Sequence, residues 1–190
     1  MSGIRSWETV TDEIKSALTD RTVRSEITLD VTAAPARLAT HTAAVMADVA
    51  RDDIEIGTGR LIFLYEPTLQ EEWEGHIRCV AYVRSNLETE LVTDPLLLEV
   101  GWSWVQDALN EREIPAIALS TTVSRSGSQS FGEISHREPE GYVEIRASWT
   151  VAGDNSVVPS IMAWCDLLAQ ASGLEPLPEG VSSINIAGRK

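Results

Sequence analysis

An α+β domain built on a mainly antiparallel sheet of about five strands, with about four helices, is what this 190-residue sequence predicts. Three observations lead there. Stretches that alternate with a period of two are interleaved with stretches of helical period, and no linker separates them. The strands come in hairpin-joined pairs, which places partners antiparallel. Hydrophobic residues make up 43% and charged residues 23%, the balance of a chain that buries one core. The expected organisation is one domain over 1–175 followed by a proline-punctuated tail over 176–190.

Ser6 caps a first helix in which Trp7, Val10, Ile14, Ala17 and Leu18 fall on one face. The short strand EITLDV follows. Pro35 then precedes an expected second helix carrying Leu38, Thr42, Val45, Met46 and Val49 on one side. RLIFLYE has five apolar residues in a row, the pattern of a central strand covered on both faces. Beyond Pro67 and the acidic turn QEEWEG, the stretch from His76 to Arg84 alternates. Ile77, Cys79, Ala81 and Val83 take one face, and Arg78, Val80, Tyr82 and Arg84 take the other.

Asp94 as cap, with Pro95 in the first turn, opens a third helix containing GWSW. Gly101 falls in the middle of an apolar arc made by Leu97, Leu98, Val100, Trp104, Val105, Ala108 and Leu109. A glycine costs a helix interior about 0.5–1 kcal/mol relative to alanine, so a close approach to the sheet is expected to offset it. Trp104 flanks that contact, and Trp102, at the edge of the arc, is the indole expected to face solvent or a partner. Two more strands, IALSTTVSR and GYVEIRASWT, are joined by the polar loop SGSQSFGEISHREPE. In the second, Val143, Ile145, Ala147 and Trp149 alternate with Tyr142, Glu144, Arg146 and Ser148. A last helix from Pro159 to Gln170 is apolar nearly all round and must be buried, and Gly173 is placed to end it. The resulting order contains β-α-β-β-α-β, compatible with a ferredoxin-like core. A secretion-chaperone-like arrangement, with helices packing one sheet, is the alternative.

Net charge is −14, with eleven acids against three arginines between Leu61 and Glu113, a field that repels phosphate backbones and anionic lipid. Direct nucleic-acid and membrane binding are therefore not expected. No apolar run approaches the roughly 18 residues of a membrane span, and MSGIRSWETV has no apolar signal core, so the expected location is the cytoplasm. Cys79 and Cys165 form no CxxC pair and are expected to be buried, free thiols.

Catalytic, cofactor and metal motifs all fail on spacing or residue type. In GSQSFG, Glu133 stands where a phosphate-binding loop needs its lysine, and the serine before Gly132 breaks the nucleophile-elbow spacing. Ser128 or Ser130 with His136 and Glu144 supplies the residue types of a triad, but these are common residues in a loop that reads as exposed. His76 and Cys79 are three apart, which on a strand sends them to opposite faces. The acid clusters at Asp52–Glu55 and Glu71–Glu74 lack the pattern of a calcium loop.

What remains is the polar side of the sheet. Arg78, Tyr82 and Arg84 on one strand share a parity with Ser120, Thr122 and Ser124 on a second and with Glu144 and Arg146 on a third. Arginine forks so gathered suit carboxylate or phosphate. Two functions follow. The first is a non-catalytic module that binds or regulates another protein, with Trp102 on its surface. The second is an enzyme or binder acting on a small anionic ligand, using Arg125, Arg146 and Glu144 with the 124–141 loop.

The ordered set DPLLLEVGWSW, STTVSRSGSQSFG, YVEIRASWT and AWCDLLAQASGLEPLP resembles an actinobacterial family catalogued as domain of unknown function three thousand, from about Arg24 to Pro178. The resemblance carries over no catalytic residue or ligand. Through gene neighbourhood with an RNase D-type exonuclease, it implies an RNA-processing enzyme as a partner.

Overall fold

The structure, a computed structural model, describes residues 5–19 and 23–176, so the tail expected from 176 onward lies almost wholly outside the described residues. Helix α1 (Trp7–Leu18) is capped by Ser6, whose hydroxyl accepts from Thr9 N. Four strands then run in succession: β1 (Ile27–Thr32), β2 (His41–Arg51), β3 (Ile54–Gln70) and β4 (Gly75–Leu87). The short helix α2 (Thr89–Thr93) leads into α3 (Leu97–Glu111), the hairpin of β5 (Ser120–Ser128) and β6 (Glu140–Thr150), and finally α4 (Val158–Ala171). The six strands form one antiparallel sheet in the order β1-β2-β3-β4-β6-β5. The α+β class, the single antiparallel sheet and the four α-helices agree with the sequence reading, and the sheet has one strand more.

The extra strand is β2, where the sequence predicted a second helix. Val45 and Val49 are four residues apart, and four satisfies a helical face and a strand face equally. The structure buries Val45, Ala47 and Val49 at a period of two. A tight turn decides the matter: Asp52 and Asp53 both adopt positive φ, 52° and 62°, as in the two-residue turns that join twisted hairpins. With a strand there, the β-α-β-β-α-β order expected of a ferredoxin-like core is replaced by a four-stranded meander. The helices pack on the resulting sheet.

All four helices lie on the same face. Val45, Ala47, Phe63, Cys79, Ala81, Val83, Ile145 and Trp149 point to that side and are fully or nearly fully buried. α4 crosses β3 and β4 so closely that a Cβ on Gly59 would meet Leu168 Cδ2 and Trp164 Cζ2, each at 2.9 Å. Glycine is required there for the approach. The buried indoles find partners, as they must in a dry core: Trp149 Nε1 donates to Ser160 Oγ at 3.1 Å and Trp164 Nε1 to the Tyr82 carbonyl at 3.2 Å. As expected of a helix apolar all round, α4 is buried over most of its length.

α1 covers the far end of β2 and β3, where Trp7 stacks on His41 at 5.5 Å and Tyr65 Oη donates to the Arg5 carbonyl. Glu13 fastens α1 to the start of α4, accepting from Val157 N and Ser156 Oγ, each at 2.9 Å, and pairing with Arg5. α3 lies over β5, with Gly101 buried against Val123. The helix begins two residues after Pro95, and Asp94 Oδ1 accepts from Leu96 N at 2.8 Å. Both cysteines are free and buried, and burial pushes each thiol up to about 12. Among the described residues no helix is long and apolar enough to cross a membrane.

Candidate binding face

Among the described residues, no helix lies on the opposite face of the sheet. Strand register builds its surface in cross-strand rows. One row runs Met46, Arg60, Tyr82, Arg146 and Thr122; the next runs Asp48, Thr58, Arg84, Glu144 and Ser124. On the other side of the first lies an apolar row of Ala44, Ile62 and Val80 ending in Ser148 and Ser120, and beyond it Thr42, Leu64, Arg78 and Thr150. The β1–β2 connection leans over the β2 end of this face: Pro35 O accepts from Thr42 Oγ1, and Ala33 O accepts from Arg60.

Arg78, Tyr82, Arg84, Glu144 and Arg146 are thus brought together, but they differ in how they are engaged. Glu144 is saturated. It accepts from Tyr82 Oη at 2.9 Å and pairs with Arg146 Nη2 at 2.5 Å, while the Arg146 guanidinium lies 5.9 Å from the Tyr82 ring centre. Burial, and then the hydrogen bond to the Glu144 carboxylate, raise the Tyr82 phenol above its ordinary value. Such a pair on a wet face contributes about 0.2–1 kcal/mol.

Arg78 and Arg84 have no carboxylate partner among the described residues. Arg78 is held in the plane of its neighbours by hydroxyls alone, donating to Ser148 Oγ at 2.8 Å and Thr150 Oγ1 at 3.1 Å. Thr150 Oγ1 in turn donates to the Trp73 carbonyl at 2.6 Å, and Ser148 Oγ shares a hydrogen bond with Ser120 Oγ at 2.9 Å. Burial lowers the proton affinity of this guanidinium, with no countercharge from a carboxylate. Arg84 is exposed and its guanidinium carbon rests 3.9 Å over the Tyr142 ring centre, a cation–π contact. A groove of about 360 Å³ opens at this end, lined by Arg84, Asn86, Leu87, Pro139, Glu140 and Tyr142 together with Gly141.

Arg125 and Trp102 do not join this face. Arg125 pairs with Val143 across the hairpin, so it shares the helix-bearing side, where its guanidinium donates to the Asp94 carbonyl and ties β5 to the head of α3. It is the structure's correction to the grouping of Arg125 with Arg146 and Glu144: an odd spacing from Thr122 and Ser124 sends it to the other side. Trp102 sits on α3, 39% exposed, on the same side as the helices. Glu144 is committed to Tyr82 and Arg146, and His136 lies in the exposed loop, so no triad geometry is formed around them. Among the described residues no group of three or more His, Cys, Asp or Glu is placed to hold a metal ion.

The sequence reading missed Arg60, which the register sets between Met46 and Tyr82 in the middle of the face. Its signal was the parity of RLIFLYE, hidden by the apolar run that follows. The hydroxyls of Ser148 and Thr150, which hold Arg78, were legible only once β4 and β6 were known to pair.

A helix-backed antiparallel sheet, with its arginine- and tyrosine-bearing face free of helices among the described residues, defines an α+β protein. Over residues 8–182 the chain matches the family model described as Protein of unknown function (DUF3000), and it belongs to that family. No curated protein and no solved structure matches it.

Proposed function

We propose that this protein is a non-catalytic, cytoplasmic protein-binding module that receives an acidic segment of its partner on the helix-free face of its sheet. The observation that supports it is the pair Arg78 and Arg84. Both are oriented by neutral groups, hydroxyls for one and an aromatic ring for the other, and neither has a carboxylate partner among the described residues of a chain whose net charge is −14. Glu144, across the strands from Arg84, is engaged by Tyr82 and Arg146, and Arg78 donates to hydroxyls, so both guanidinium groups retain N–H groups for a carboxylate from outside. The apolar row of Ile62 and Val80 between them offers the dry contact that a protein segment, unlike a free anion, uses.

Charge reversal tests this reading. Co-purification from native cells is compared for the wild type and the double variant Arg78→Glu, Arg84→Glu. A partner retained by the first and lost from the second, with an acidic segment at the contact, is the expected result. An identical set of proteins from both ends the proposal. An RNA-processing enzyme, the partner class that the family resemblance brings, enters that assay by name.

A second reading rests on the groove beside Arg84 and Tyr142, whose flat stack and size suit a small anionic ligand. Glu140 in the same lining opposes it. A thermal-shift screen of small anions and nucleotides decides: a wild-type midpoint that rises with ligand concentration, and does not in Arg84→Ala, supports this reading.

A further inference from the structure

On the other side of the sheet, α2 and the first half of α3 present an apolar surface left exposed by the described residues. Leu91, Leu96, Leu98 and Trp102 each leave more than a third of their surface exposed. Leu98 and Trp102 stand four residues apart, one above the other, along the edge of the buried line Leu97, Gly101 and Val105. Leu96 extends that strip in the turn at the head of α3. α2 is anchored beneath by Val92, which lies against Gly127 and Gly141 at the root of the β5–β6 hairpin. Arg125 fixes the head of α3 through the Asp94 carbonyl. The strip therefore stands on a firm support.

Its charge is mainly acidic, although Arg125 reaches the Asp94 carbonyl from β5. Between Arg84 and Arg112 the chain carries six acids and not one lysine, arginine or histidine. Glu99 is a helical neighbour of Trp102, three residues before it, and Glu90 and Asp94 flank Leu91 and Leu96. An exposed apolar strip rimmed mainly by acids selects its occupant. Anionic membranes and nucleic acid are repelled. A second copy of the chain, docked through a two-fold axis, would bring the same acids against these.

We infer that the α2–α3 face is a docking surface for an amphipathic segment of a partner protein, with apolar side chains flanked by lysine or arginine. Leu98 and Trp102 take the apolar side chains, and Glu90, Asp94 and Glu99 meet the cations. The surface is separate from the open sheet face, which lies on the far side of the β-sheet, so the two readings stand or fall independently.

The test titrates the full chain with a designed leucine–lysine peptide of about 18 residues, long enough to form an amphipathic helix. A scrambled peptide of equal composition, and a leucine–glutamate peptide of equal pattern, serve as probes of apolar register and charge. The amphipathic lysine peptide is expected to bind, and Trp102→Ser to weaken it by at least about tenfold, the loss of about 1.4 kcal/mol or more that marks a central aromatic contact. If that variant folds poorly, Glu99→Lys gives the same readout from an exposed position, with Glu55→Lys at the start of β3 expected to bind as the wild type does. Equal binding of the scrambled peptide, or undiminished affinity in both Trp102→Ser and Glu99→Lys, overturns the inference. So does a dimer of the wild type that Trp102→Ser abolishes, since a second copy would then be the occupant.

Discussion

Gly101 on α3 and Val123 on β5 meet so closely that a Cβ on the glycine would lie 2.7 Å from Val123 Cγ1. A helix tolerates glycine at its centre here because the sheet is against it. Gly101→Leu must push the helix off the edge strand and is expected to lower stability by about 1–3 kcal/mol. Gly101→Ala gains helix propensity of about 0.5–1 kcal/mol while displacing a half-buried valine, and stays within about 1 kcal/mol of the wild type. Urea midpoints measure both. A leucine variant as stable as the wild type would show that the glycine serves another purpose.

The fold was legible in the sequence wherever period and turn chemistry agreed. β4 and β6 alternate cleanly, and α4 is apolar on every side, so their burial followed from side-chain spacing alone. β2 was not legible from spacing, because valines four residues apart fit both periods. Only the Asp52–Asp53 turn, with both residues at positive φ, distinguishes the hairpin. On the helix-free face, Arg78, Tyr82, Arg84, Glu144 and Arg146 could be grouped by parity. Arg125 followed the opposite parity, and the parity of Arg60 was masked by the apolar run after it until the register of β3 against β4 placed it.

The two thiols provide a pH-dependent signature. Cys79 and Cys165 are raised from an ordinary 9.0 to about 12, chiefly by burial, so both remain protonated in the folded chain where an unfolded chain ionises. Stability is therefore expected to fall as pH rises above 9.0 and to go on falling towards about 12. At pH 8 a thiol reagent should label both groups only after denaturant is added. Rapid labelling of the native protein contradicts the burial on which this rests.

Glu144→Gln keeps the shape of the side chain and removes its charge. The Tyr82 phenol should then titrate lower, because burial, which also raises it, remains while the raising effect of the Glu144 charge is lost. Ultraviolet titration of the phenolates in wild type and variant reads the shift. An unchanged or higher Tyr82 value would mean that Glu144 does not face it as described.

Glu13 is the clasp between α1 and α4. With its carboxylate accepting from Val157 N and Ser156 Oγ and pairing with Arg5, Glu13→Ala should cost about 1.5–3 kcal/mol, the range for hydrogen bonds to a charged group. Hydrogen exchange should show α1 opening first in this variant, ahead of the sheet. Loss of protection spread evenly over the whole chain would instead make α1 an inseparable part of the core.

The claim that the helix-free sheet face binds the partner is tested most directly by site-specific photo-cross-linking in native cells. One cross-linking side chain replaces Thr122, exposed on that face beside Arg146, and another replaces Gln106, exposed on α3. The account predicts a cross-linked protein from position 122 whose yield collapses when Arg78→Glu and Arg84→Glu are added, with the cross-link mapping to an acidic segment. A product from position 122 that is indifferent to those two arginines, or no product there at all, would contradict it.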